Sequence, residues 1–118
     1  MHFAAKSLVG ESVEKPDLYR QVNVNGTRML LDRMEIAGIN RIVFSSSASV
    51  YGEPEITPTP ESALGVPTNP YGQTKLAVDE MLTTQAREEG FASASLRYFN
   101  VAGALQTTSG WIAERHDP

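Results

Sequence analysis

Tyr71 and Lys75 are the residues whose types and spacing could do chemistry. They stand four apart in Asn69-Pro70-Tyr71-Gly72-Gln73-Thr74-Lys75. Asn69 is a good N-cap, and Pro70 suits the first helical position, where its missing N–H costs nothing. Leu76, Ala77, Met81, Leu82 and Ala86 then recur at helical spacing, so the segment predicts a helix. A 3.6-residue period stacks Tyr71 and Lys75 on one face. An ammonium beside a phenol favours the phenolate, and the positive end of the helix acts in the same direction. That makes the tyrosine a candidate base near neutral pH. The same spacing also describes an ordinary packed ring beside a solvated charge, so the pair alone decides nothing.

Such a pair needs elements to position it. Met1-His2-Phe3-Ala4-Ala5 reads as the tail of a strand, and Lys6 to Ser12 as a loop of small residues. A helix is predicted from about Pro16 to Ala37. Tyr19, Val22, Gly26, Met29, Leu30 and Met34 form its apolar or small face, and Gly38 follows as a C′ residue. Its run Asn23-Val24-Asn25-Gly26-Thr27 is poor in helix propensity. Arg41 to Ser46 reads as a buried strand running into Ser47-Ala48-Ser49. A proline-rich irregular stretch, Val50 to Thr68, leads to the Tyr71 helix, which ends near Glu89 with Gly90 behind it. Ser93 to Phe99 reads as a third strand, and Asn100 to Pro118 as loop.

The order strand, helix, strand, helix, strand implies an α/β fold, part of a doubly wound, Rossmann-like parallel sheet. In such sheets ligands bind beyond the C-terminal strand ends. Ala5, the serines at 45–49 and Asn100 all fall at those ends, and the loop before Tyr71 can return to the same rim.

Composition narrows the partners. The 118 residues make one domain at most. A net charge of −4 with no basic block argues against nucleic acid or an anionic membrane surface as the main partner. No apolar run approaches a membrane span. Cysteine is absent, which removes disulfides and thiolate chemistry and fits a cytoplasmic location. His2 and His116 stand at opposite ends of the chain without a second ligand nearby, so no metal site is expected. Both read as surface or packing residues.

Ser45-Ser46-Ser47-Ala48-Ser49-Val50-Tyr51-Gly52 followed by Pro70-Tyr71-Gly72-Gln73-Thr74-Lys75 resembles the extended short-chain dehydrogenase/reductase superfamily. Further stretches narrow the likeness: His2 through Ser12, Asn25-Gly26-Thr27, Leu96 through Ala104, and Glu114-Arg115-His116-Asp117-Pro118. In this order they resemble the UDP-glucose 4-epimerase family. The resemblance implies an NAD-dependent isomerase acting on a UDP-sugar through a 4-keto intermediate. Tyr71 would take the proton of the sugar 4-hydroxyl, Lys75 would bind the nicotinamide ribose, and Ser47 would hydrogen-bond the 4-oxygen. Phe3, Ala4, Ala5, Lys6 and Ser7 would line the NAD, Phe99 would lie near the nicotinamide, and Asn100 near the substrate diphosphate. Each has a plainer reading: Ser45 and Ser46 as packing serines, Phe99 as a core ring, Asn100 as a turn residue, Lys6 as a solvated cation.

Related dehydratases carry an Asp-Glu pair after the strand-end serine, and sugar-acid decarboxylases often a Glu. Here Ala48-Ser49 supplies no carboxylate, which favours epimerisation. Two departures touch cofactor binding: Ser7 stands where some relatives have lysine, and Val22 where an asparagine often contacts NAD. The family's glycine-rich strand–turn–helix unit is absent too, since no G-x-x-G-x-x-G pattern occurs in this chain. The expectation is therefore a central part of an NAD-binding domain, without that unit and without the C-terminal substrate segment. Alone it would turn over no substrate. The alternatives are another nucleotide-sugar epimerase or dehydratase, or a non-catalytic binding fragment. A homodimer in the full-length protein would pair the helices around Val22 to Met34 and Leu76 to Ala86.

Overall fold

The computed structural model describes residues 1–107 and 110–113. The chain runs through α1 (Val9–Glu14), α2 (Pro16–Tyr19), a π-helical stretch (Arg20–Asn25) and α3 (Gly26–Ile36). It continues through β1 (Arg41–Ser45), a 3-10 turn (Ala48–Tyr51), α4 (Pro70–Glu89), β2 (Ala92–Leu96), β3 (Ala104–Thr107) and β4 (Gly110–Ala113). Among the described residues no helix is long and apolar enough to cross a membrane.

β1 and β2 pair in parallel, with Arg41 opposite Ala92 and Ser45 opposite Leu96. On the other side of β1, His2 makes a parallel bridge to Phe44, its N–H donating to Val43 O at 2.8 Å and its carbonyl accepting from Ser45 N–H at 3.0 Å. β1 is therefore the middle of the parallel layer. Ile42 and Phe44, two apart and so on one face, meet Leu31 of α3, Val78 and Leu82 of α4, and Phe91. Both crossover helices cover that one face. Each fully buried aliphatic or aromatic side chain contributes about 1.5–3 kcal/mol, so these few residues hold the helices to the sheet.

α4 begins and ends where its residues dictate. Asn69 Oδ1 accepts the Gly72 N–H at 2.8 Å, Pro70 opens the helix, and Gly90 closes it at φ 65°. Gly38 follows α3 at φ 71° in the same manner.

Elsewhere the structure departs from expectation. Residues 1–5 contribute a single bridge rather than a strand tail. The 6–12 loop gives way to α1 at Val9, because Ser12 is fully buried there, donating to Val9 O at 2.6 Å and accepting Tyr71 N–H at 3.2 Å. Tertiary contact holds this short helix, and propensity cannot report that.

The long helix forms, but its buried face carries Tyr19, Asn23, Val24, Thr27 and Leu31, while Val22 (37%), Met29 (67%) and Leu30 (36%) are exposed. The π-helical stretch widens the turn, so positions 19, 23, 27 and 31 align at every fourth residue. β2 stops at Leu96, short of Phe99. Ser46 N–H takes the Leu96 carbonyl at 3.0 Å, and Tyr98 N–H turns back to the same carbonyl at 3.2 Å. The expected loop after Asn100 contains an antiparallel hairpin, Ala104 pairing Ala113 and Thr107 pairing Gly110. The Glu114 to Pro118 motif lies outside the described residues.

Candidate functional site

Lys75 is only 4% exposed, and its Nζ donates to the backbone carbonyl of Ser45 at 2.8 Å. Nζ also lies 4.9 Å from the centre of the Phe44 ring and 5.7 Å from that of Tyr71, close enough for cation–π attraction. The helix thus stacks the two residues as its period requires. Burial pushes the Lys75 ammonium below the ordinary lysine pKa, and the charge of Asp79 offsets part of that. Tyr71 is half-buried, and its backbone N–H, orphaned in the first turn, finds Ser12 Oγ.

Ser47 is extended and caps the 3-10 turn. Its Oγ accepts Ser49 N–H at 3.1 Å and donates to Ser49 Oγ at 3.1 Å. The turn reaches the Tyr71 helix through a glycine. A Cβ on Gly72 would stand 2.6 Å from Ser49 O, so no larger residue lets the two backbones approach this closely. Ala48 N–H donates to Tyr98 O at 2.8 Å, which carries Phe99 and Asn100 to the same rim. The Phe99 ring is 64% exposed and stacks on Tyr51 at 6.5 Å between centroids, so the expectation of a core ring fails. Asn100 is exposed. A cavity of about 540 Å³ opens on this side, lined by Tyr51, Thr59, Glu61, Ser95, Arg97 and Phe99, and it stops short of Tyr71 and Ser47.

The N-terminal loop approaches from the other side. Phe3 (60%), Ala4 and Ser7 are exposed, Ala5 and Lys6 half-buried. Lys6 Nζ lies 3.5 Å from a Glu11 carboxylate oxygen. Asn23, named in the sequence only for weak propensity, fixes this loop. Its Oδ1 accepts Lys6 N–H at 2.8 Å, and its Nδ2 donates to Lys6 O at 3.0 Å and to Thr74 Oγ1 at 3.2 Å. Thr74 Oγ1 in turn donates to Tyr71 O at 2.7 Å. One buried amide therefore ties the loop to the first turn of α4. A polar residue inside a helical pattern with low propensity was the available signal.

His2 is a packing residue, as expected, and also a polar one. Its Nε2 lies 2.9 Å from Thr27 Oγ1, and its ring leans on Phe44 at 5.8 Å. Burial, then the charge of Lys75, holds its pKa below the ordinary histidine value. Ser46 is buried and donates to Asp79, which suits its reading as a packing serine.

Residues 1–115 match the NAD dependent epimerase/dehydratase family. The chain is 58% identical over 104 residues to the UDP-glucose 4-epimerase of Streptomyces lividans, a match spanning 88% of this chain and 32% of that protein. It superposes on the Brucella ovis UDP-glucose 4-epimerase in complex with NAD at a TM-score of 0.84 and 45% identity, covering 86% of this chain and 31% of that one. The Stenotrophomonas maltophila UDP-glucose-4-epimerase with bound NAD and formylated UDP-arabinopyranose gives 0.87 and 40%, covering 99% and 35%. The chain thus spans about a third of the length of these relatives. Its parallel sheet is the Rossmann-like arrangement they share, and the chain belongs to the NAD dependent epimerase/dehydratase family.

Proposed function

We propose that the full-length protein interconverts UDP-glucose and UDP-galactose by inverting C4 of the sugar, with NAD as cofactor. The observation that carries this reading is the buried Lys75 ammonium, stacked beneath Tyr71 and hydrogen-bonded to Ser45, two residues before Ser47. The names of its relatives support the substrate, and the lack of a carboxylate at Ala48-Ser49 supports inversion over dehydration.

The residues present fit a dinucleotide. Phe3, Ala4, Ser7 and Phe99 expose surface at the strand-end rim, and a fixed cation lies behind it. Phe3, Ala4, Ala5, Lys6, Ser7 and Phe99 would hold NAD together with Ser47, Tyr71 and Lys75, as part of an NAD-binding domain. NAD, when bound, would supply the hydride acceptor for C4. Tyr71 Oη takes the 4-hydroxyl proton and gives it back once the sugar has turned. Ser47 Oγ exchanges its Ser49 contact for the 4-oxygen, orienting the carbon that reacts. Lys75 holds positive charge under the phenol while the proton leaves O4 and the hydride leaves C4. Asn100 meets the substrate on its diphosphate side. A cytoplasmic homodimer belongs to the same reading, its contact helped by the exposed Val22, Met29 and Leu30 of the long helix.

Incubation of the full-length protein with UDP-galactose and NAD tests this, with UDP-glucose formation read by a coupled dehydrogenase. Conversion supports the reading, and a folded protein that converts none contradicts it.

A further inference from the structure

Asp79 has no place in the chemistry above, yet its surroundings are unusual. It follows Lys75 by one helical turn and is 6% exposed. Its Oδ2 accepts Ser46 Oγ at 3.0 Å and Arg97 Nε at 3.2 Å, while its Oδ1 is buried without a hydrogen-bond partner among the described residues. Arg97 continues the network, donating through Nη1 to Tyr51 Oη at 3.0 Å and to Glu61 O at 3.2 Å. A buried carboxylate oxygen with nothing to accept is costly, and more so when it is charged. Packing alone gives no reason to keep it.

Ser45 and Ser46 are successive residues at the end of β1. Lys75 holds the first by its carbonyl, and Asp79 holds the second by its hydroxyl. One helix face thus clamps the strand end with a cation and an anion. We propose that Asp79 is a positioning residue for Lys75 and Ser47: its carboxylate fixes the strand end at Ser46, between the Ser45 carbonyl that holds the Lys75 ammonium and Ser47, and sets a negative charge one helical turn from that ammonium.

The titratable groups around Lys75 are Tyr71 and Asp79 on its own helix and His2 from the N-terminal segment, with Arg97 ion-paired to Asp79 at 3.2 Å. Among them Asp79 is the carboxylate. Burial lowers the Lys75 pKa, and the charge of Asp79 raises it. Removing the carboxylate therefore moves Lys75 deprotonation to lower pH. Removing the competing Arg97 cation moves it to higher pH.

The kinetic part rests on the proposed epimerase reading, but the titration does not. The full-length protein, labelled with 13C/15N lysine and with Lys75 assigned by its loss in Lys75→Met, is titrated as wild type, Asp79→Asn and Arg97→Gln. The expected result is a shift of Lys75 to lower pH in Asp79→Asn and to higher pH in Arg97→Gln. In Asp79→Asn, kcat falls on the order of 10- to 100-fold and its alkaline limb moves to lower pH, with KM held. If Asp79→Asn does not fold, the sign of the Arg97→Gln shift decides. A Lys75 titration that ignores both substitutions overturns the proposal, whatever the melting temperatures do. A shifted titration in a protein without epimerase activity upholds it and overturns the functional reading instead.

Discussion

Lys75 Nζ donates a 2.8 Å hydrogen bond to the carbonyl of Ser45, which couples the helix bearing Tyr71 to the strand end bearing Ser47. The bond is made from a buried position, so Lys75 is held in place at a cost in desolvation. Its folded pKa lies below the ordinary 10.5, so the folded state binds this proton less tightly than the unfolded chain does. The stability it contributes is present above 10.5 and lost as pH falls through the folded value. At neutral pH Lys75 is thus a burden, and Lys75→Met trades one hydrogen bond for relief of that burden. Urea unfolding at pH 7 should show a change within about 1.5 kcal/mol, with turnover abolished.

Three glycines are expected to respond in different ways to alanine. At Gly52, φ is +63° and a Cβ would meet Val66 O at 1.9 Å, so the variant loses more than about 3 kcal/mol. At Gly72 the Cβ meets Ser49 O at 2.6 Å and Pro67 Cβ at 3.0 Å. The loss there is about 1–3 kcal/mol, and activity falls as well because the Ser47 turn is pushed off α4. At Gly10, inside α1 with nothing within 4 Å among the described residues, alanine gains roughly 0.5–1 kcal/mol. Denaturant midpoints of the three variants check the order.

Local signals predicted the parts of the fold they control. Asn69, Pro70 and Gly90 bounded α4, and the β-forming run from Arg41 located β1. Where a tertiary partner decides, the sequence was silent. Ser12 builds α1 by reaching Tyr71, which lies 59 residues on. Asn23 and Thr27 occupy a buried face expected to be apolar, because each finds hydrogen bonds there. Asp79 carries no spacing signal of its own, and its link to Ser46 and Arg97 exists only once the sheet has formed. The Tyr71, Lys75 and Ser47 positions were legible as a spacing and a strand end. The loops at Lys6 and Phe99 were named from resemblance, and their hydrogen-bonded ties to the rim appear only in three dimensions.

His2 gives the chain a pH dependence of defined sign. Thr27 Oγ1 donates to Asn23 O at 2.7 Å, which leaves it to accept from His2 Nε2–H, as a neutral imidazole allows. Burial and the Lys75 charge depress the folded pKa below 6.5. The contribution is full above pH 6.5 and is lost as pH falls through the folded value. Urea midpoints taken across roughly pH 5 to 8 should fall at the acid end in wild type. They should fall less in His2→Gln, which keeps a donor and cannot titrate.

Asn23→Ala should loosen the N-terminal loop without unfolding the sheet. The change strands the Lys6 N–H and C=O, and it costs about 1–3 kcal/mol. Hydrogen exchange at Lys6 should rise, and NAD should bind more weakly to the full-length protein.

The central claim is that Tyr71 moves the proton on a frame set by Ser47 and Lys75. The direct measurement is the rate of UDP-galactose conversion by the full-length protein with Tyr71 intact and as Tyr71→Phe, each with its melting temperature. The account predicts a loss of about 10²–10⁴-fold in kcat with the melting temperature retained. A Tyr71→Phe protein that converts substrate at the wild-type rate would contradict it.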